Sequence, residues 1–256
     1  MNGFADFNHD GMTDLLLRSL STGAFEVYNI SNNSIINAAV LGTVGLDWRI
    51  GADFGNFSSL GESDMILRNV STGGLEVYDI SNNQITNAAF MGTVGLDWRT
   101  IGVGNFSGNP GESDMIMRNI TTGGLEVYDI ANNQITGAAF LGTVGLEWAF
   151  ARVAPVHGPG ASDLVLRNVN TGQFEVYNIA NNQLVGAASL GQVGLDWQLG
   201  GFAVDPPTGA MGSSDSSTAQ LVQAMAGFGG GAADSLNTAV VGADTSQQTF
   251  LTTPQG

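Results

Sequence analysis

DLLLR (14–18), DMILR (64–68), DMIMR (114–118) and DLVLR (163–167) are four near-continuous apolar runs, each opened by aspartate and closed by arginine. Runs of this length without alternation predict strands covered on both faces. A Thr-Gly turn follows each, and then FEVYNI or LEVYDI, rich in β-branched and aromatic residues. That composition predicts a second strand. The Asn-Asn pair that comes next suits a hairpin turn, because asparagine tolerates positive φ. IINAAVLGTV and its equivalents then predict a third strand, and GLDW or GLEW leads into a fourth, such as WRIGADF (48–54). Pro110, Pro155 and Pro159 fall only between these runs, where no ladder bond is lost.

The four strands recur as a unit. Tyr28, Tyr78, Tyr128 and Tyr177 are spaced by 50, 50 and 49 residues, and Trp48, Trp98, Trp148 and Trp197 keep the same spacing. Four strands repeated at this period are the mark of propeller blades. A parallel β-helix coil is shorter, and helical repeats would show a 3.6-residue period that is absent here. The expected fold is all-β: a β-propeller of four four-stranded antiparallel blades, whole or part of a larger propeller, over residues 1–204. The units run over about 5–54, 55–104, 105–154 and 155–204. GFADF (3–7) resembles a fourth strand, yet the last unit already has its own in WQLGGFAV (197–204). One strand is therefore spare, and an unpaired blade edge invites self-association.

Composition narrows the function. The 256 residues are 43% hydrophobic, enough for a real core. Charge is lopsided, with 23 acidic against 7 basic residues, all arginine, for a net charge of −16. That field repels nucleic acid and anionic membranes and favours cations. No cysteine is present, so disulfides and thiolate metal sites are excluded. No apolar run approaches the ~20 residues of a membrane helix, and the N-terminal stretch is not a secretory signal peptide.

One loop stands apart. DFNHDGMTD (6–14) places oxygen-bearing side chains at its first, third, fifth and ninth positions and glycine at its sixth. These are Asp6, Asn8, Asp10, Asp14 and Gly11. A hard cation such as Ca2+ takes about six to eight oxygens. Alternate side chains of a tight loop converge on one point, Met12 offers its backbone carbonyl, and Asp14 closes the site where an EF-hand glutamate would be Leu17. The expected metal ligands are Asp6, Asn8, Asp10, Met12 and Asp14; an Asx-rich solvated turn is the alternative. The other units carry degraded versions: GNFSSLGESD (55–64), GNFSGNPGESD (104–114) and APVHGPGASD (154–163), in which calcium affinity should be weak or nil.

With this loop leading into the repeated strands, residues 1 to about 204 resemble the FG-GAP or VCBS-like repeat family. That family includes integrin α-subunit propellers, some fungal lectins and large secreted bacterial proteins. The resemblance implies a β-propeller with structural calcium, secreted, that binds protein or glycan at a propeller face or between blades. It makes a binding or adhesion module the leading expectation, with a glycan-binding lectin and a propeller-based hydrolase as alternatives.

Other constellations receive plainer readings. One tryptophan per unit in the same context predicts packing between blades rather than sugar-stacking platforms. Arg18/Glu26, Arg68/Glu76, Arg118/Glu126 and Arg167/Glu175 are expected to form cross-strand ion pairs. His157, Ser162 and Asp163 lie close in sequence, but a triad needs convergence in space. GESD at 61–64 and 111–114 reads as eroded calcium loop rather than as paired catalytic carboxylates. No catalytic residue and no organic cofactor is expected. Residues 205–256 hold no basic, tryptophan or tyrosine residue and are expected to be a disordered tail, with one short helix at 217–226. The tail's glycine-rich, acidic, lysine-free composition resembles C-terminal export signals of type I secreted bacterial proteins.

Overall fold

The computed structural model describes residues 3–51 and 54–197. Blade 1 consists of β1 (Gly3–Ala5), β2 (Asp14–Arg18), β3 (Ala24–Ser31) and β4 (Ser34–Thr43). Blade 2 consists of β5 (Trp48–Ile50), β6 (Met65–Asn69), β7 (Gly74–Ser81) and β8 (Gln84–Thr93). Blade 3 consists of β9 (Trp98–Gly104), β10 (Asp114–Asn119), β11 (Gly124–Ala131) and β12 (Gln134–Thr143). Blade 4 consists of β13 (Trp148–Ala154), β14 (Asp163–Asn168), β15 (Gln173–Ala180) and β16 (Gln183–Gln192). Every pairing is antiparallel and follows chain order within the blade, giving a β-propeller of four four-stranded blades with no helix among the described residues.

The hairpin turns are built as their sequence requires. Asn32 and Asn33 have φ of 50° and 60°, and the pairs at 82–83, 132–133 and 181–182 match them. Two successive left-handed residues give a turn whose twist fits the strands it joins. At the Thr-Gly turn, Gly23 has φ of 79°, and a Cβ there would run into the Val44 carbonyl. Only glycine fits.

The grouping of strands differs from the sequence reading by one strand. WRI does not close the first unit; it pairs with the next apolar run, Arg49 opposite Arg68. GFA is likewise the first strand of blade 1, with Phe4 opposite Leu15. A periodic sequence carries no mark of where a unit starts, so the pairing could not be phased from the repeat alone. The segment from 198 onward, including the rest of WQLGGFAV, the tail at 205–256 and the helix expected at 217–226, lies outside the described residues.

The cores lie between blades. Phe7, Leu16, Phe25 and Val27 of blade 1 pack with Met65, Leu67 and Ile80 of blade 2. The same positions join blade 2 to blade 3 and blade 3 to blade 4. Burying each such side chain is worth about 1.5–3 kcal/mol. Trp48, Trp98 and Trp148 pack against one junction each, as expected, whereas Trp197 is 66% exposed. Polar links reinforce each junction. Asn83 N–H donates to the Phe7 carbonyl (3.0 Å), Asn133 to Phe57 (2.9 Å) and Asn182 to Phe106 (2.9 Å).

The cross-strand ion pairs do not form. Glu26 stands opposite Leu17, and Arg18 stands opposite Phe25. Arg18 reaches instead to the carbonyls of Trp48 and Gly45 in the crossing between blades, and Glu26 accepts the Tyr28 hydroxyl at 2.7 Å. Arg68, Arg118 and Arg167 make the same reach, to Gly95, Gly145 and Gly194. A planar fork with several donors satisfies loop carbonyls that no strand pairs. Each arginine therefore ties its blade to the chain entering the next.

Candidate functional site

The loop between β1 and β2 folds around its own side-chain oxygens. Asp6 Oδ2 accepts Gly11 N–H at 2.9 Å, Asn8 Oδ1 accepts Asp10 N–H at 3.0 Å, and Asp10 Oδ1 accepts Met12 N–H at 2.7 Å. Asn8 Nδ2 donates to Asp10 Oδ2 at 2.9 Å. These are Asx-type turns, in which a short side chain holds an amide further along the loop. Gly11 (φ 82°) and His9 (φ 62°) supply the left-handed corners. Met12 is exposed, with its amide engaged by Asp10.

Asp14 behaves differently. It is fully buried, and its two oxygens accept Phe7 N–H and Ile30 N–H, both at 3.2 Å. Burial pushes its carboxyl above the usual range, the amides of Ile30 and Phe7 oppose that, and the charges of Asp10 and Asp6 push it further up. Asp6, Asn8 and Asp10 thus gather at the loop surface while Asp14 is drawn inward to the amides. Among the described residues no three acidic or imidazole side chains are already arranged as metal ligands. Each Asp14 oxygen takes one amide and keeps a further acceptor site.

The same inward carboxylate recurs in every blade. Asp64 accepts Ser58 N–H at 2.7 Å, Asp114 accepts Phe106 and Ser107 N–H at 2.8 and 2.7 Å, and Asp163 accepts Val156 and His157 N–H at 2.9 and 2.8 Å. All are fully buried. The first loop position recurs too: Asn56 Oδ1 accepts Gly61 N–H, and Asn105 Oδ1 accepts Gly108 N–H. The sequence held the signal for this. The last aspartate is kept in all four loops while the intervening oxygens are lost, so its hold on the loop amides is common to every blade and does not depend on those oxygens.

His157 lies with Nδ1 2.6 Å from Asp163 Oδ1, and Ser162 Oγ accepts Asn105 N–H at 2.8 Å from the neighbouring blade. The pair His157–Asp163 therefore forms, and the serine is turned to a blade junction. In the GESD loops, Asp64 and Asp114 face amides, and Glu112 accepts from Asn109. A feature that sequence reasoning passed over is a pair of exposed phenylalanines. Phe90 and Phe140 are each 64% exposed, and lie with Trp48 and Trp98 over Gly74 and Gly124.

No family model and no curated protein sequence matches the chain. Among solved structures, a nidogen/laminin complex is similar at 13% identity and a TM-score of 0.45, over 70% of this chain and 61% of that one. An auxiliary nutrient binding protein from Bacteroides thetaiotaomicron is similar at 11% identity and a TM-score of 0.37, over 71% and 54%. YCF48 from Cyanidioschyzon merolae is similar at 12% identity and a TM-score of 0.33, over 70% and 55%. The chain spans less than two thirds of each. At these values no ligand or partner of those proteins passes to this chain.

Proposed function

We propose that this propeller is a secreted binding or adhesion module of the FG-GAP/VCBS-like type, with a protein or glycan ligand and with calcium in a structural role at the first loop. One observation carries the calcium reading. Loop 2 closes in the same way with the neutral Asn56 and Ser58, whose oxygens accept Gly61 N–H and Leu60 N–H, so the charges of Asp6 and Asp10 are not needed to make the turn. They lie instead beside a buried carboxylate that they destabilise, in a chain already at −16. A divalent cation would relieve that repulsion. Asp6, Asn8, Asp10 and the Met12 carbonyl would hold it, with Asp14 completing the set. The ion would contribute rigidity where β1 enters β2.

Thermal unfolding in excess EDTA and then in millimolar calcium tests this, with Asp10→Ala alongside. A ligand that binds only the folded state stabilises by about 2.7 kcal/mol at a hundredfold excess over its dissociation constant. A rise in melting temperature for the parent and none for Asp10→Ala is the expected result. The same rise in both, or none in either, would remove calcium from this loop.

A further inference from the structure

Each buried cluster lies between two blades, so a blade completes its burial only with a neighbour on both sides. Blade 1 packs against blade 2, and no strand of blade 1 touches a strand of blade 4 among the described residues. On its open side Leu15, Leu17 and Ile30 are half-buried and Phe4 is 55% exposed. Their blade 2 counterparts Met65, Leu67 and Ile80 are fully buried. The polar half of the junction is open as well. Asn33 is exposed and makes no hydrogen bond among the described residues, whereas its counterparts Asn83, Asn133 and Asn182 donate to the preceding blade through backbone and side chain.

Blade 4 carries the matching acceptors. Val156 stands where Phe7, Phe57 and Phe106 present the carbonyl that takes the asparagine N–H. Asn178 stands where Asn29, Asp79 and Asp129 accept the asparagine Nδ2, and Asn178 Oδ1 is buried with no partner among the described residues. We propose that blade 1 of one molecule docks on blade 4 of a second copy, head to tail, repeating the junction that joins the blades inside the chain. The occupant is a second copy because both halves of one interface, already seen three times, sit on the first and the last of the described blades.

One link is missing from this fourth junction. Asn56 and Asn105 also donate their backbone N–H to Ser113 Oγ (2.9 Å) and Ser162 Oγ (2.8 Å) of the next blade. The blade 4 counterpart is Pro155, which has no N–H, and the counterpart of those serines on blade 1 is Thr13. The contact is therefore weaker than an internal one and reversible. It is also heterologous, so copies join head to tail, into rings where the rotation closes and into open chains where it does not.

Sedimentation velocity of the full chain over a wide concentration range tests it. The parent should assemble as concentration rises, and Leu17→Glu and Val156→Glu, each with the parent's circular dichroism and melting temperature, should be monomeric alone. Mixed together they should form a one-to-one dimer and nothing larger, because each retains the half the other lacks. Pro155→Asn, which restores the missing donor, should tighten assembly about tenfold. A parent that stays monomeric, blocked variants that do not pair, or assembly that survives Val156→Glu would overturn the proposal.

Discussion

Loops 1 and 2 are the same turn written in two chemistries. Both hold their sixth residue by a side-chain oxygen at the first, Asp6 to Gly11 and Asn56 to Gly61. Both end in a buried aspartate that accepts loop amides. Between these fixed points loop 1 has Asn8 and Asp10, and loop 2 has Ser58 and Leu60. Loop 2 also uses Asn56 Nδ2 to reach the Gly111 carbonyl of blade 3, at 2.6 Å, a donor that Asp6 lacks. Loops 1 and 2 thus share one acceptor at the start and one inward carboxylate at the end; loop 4, with Pro155 first, keeps only the carboxylate. Charge in between is optional, and an amide in place of the first carboxylate supplies a blade-to-blade bond.

The largest effect should come from what the loops share. Asp64→Ala strands buried amides and should cost about 3 kcal/mol in urea unfolding, since each unpaired buried donor costs about 1–3 kcal/mol. Asp14→Ala should cost a similar amount in EDTA. Costs near zero for both would mean that the loop amides find water instead. Next in size is a graft across the difference. Asn56→Asp with Ser58→Asn and Leu60→Asp gives loop 2 the loop 1 ligands, and calcium should then stabilise by up to about 2.7 kcal/mol more than in the parent. Isothermal titration would count the second ion; one ion per chain in both proteins would break the comparison.

The smallest expected effect is on pH. Asp14, Asp64 and Asp114 all have their carboxyls held above the usual range, chiefly by burial. The folded state therefore binds more protons than the unfolded state between the two pKa values. Their protonation favours folding, so this part of the stability is full below the unfolded pKa and is lost as pH rises through the folded one. In EDTA the chain should be more stable near about pH 5 than near about pH 8, and Asp64→Asn should flatten that slope. Added calcium should reverse the loop 1 part, because an ion needs the ionised form.

Much of this was readable beforehand, for local reasons. Asn32 and Asn33 announce a hairpin because few residues accept two positive φ values in a row. The apolar run 64–68 announces a strand buried on both faces, and Met65, Ile66 and Leu67 are fully buried. What escaped depended on partners distant in sequence. Adjacent strands of one hairpin point Arg18 towards Glu26, yet it bonds carbonyls about 30 residues on, which hairpin register cannot reveal. The spacing of Asp14 from Asp6 points to an ion ligand but carries no trace of its burial against the Ile30 amide, which comes from β3, outside the motif.

The placement of apolar clusters between blades has a mechanical consequence. A lone blade has no interior of its own, so stability accumulates by nearest-neighbour coupling, as in a stack of coins glued face to face. Such an array frays from its ends. Amide exchange should be slowest in β6 and β10, each clasped on both sides, and fastest in β2 and β14, whose blades each have only one neighbour among the described strands. A pulling force on the N-terminus would then peel the molecule one blade at a time, and the loop with the surplus carboxylates sits in the blade that would go first.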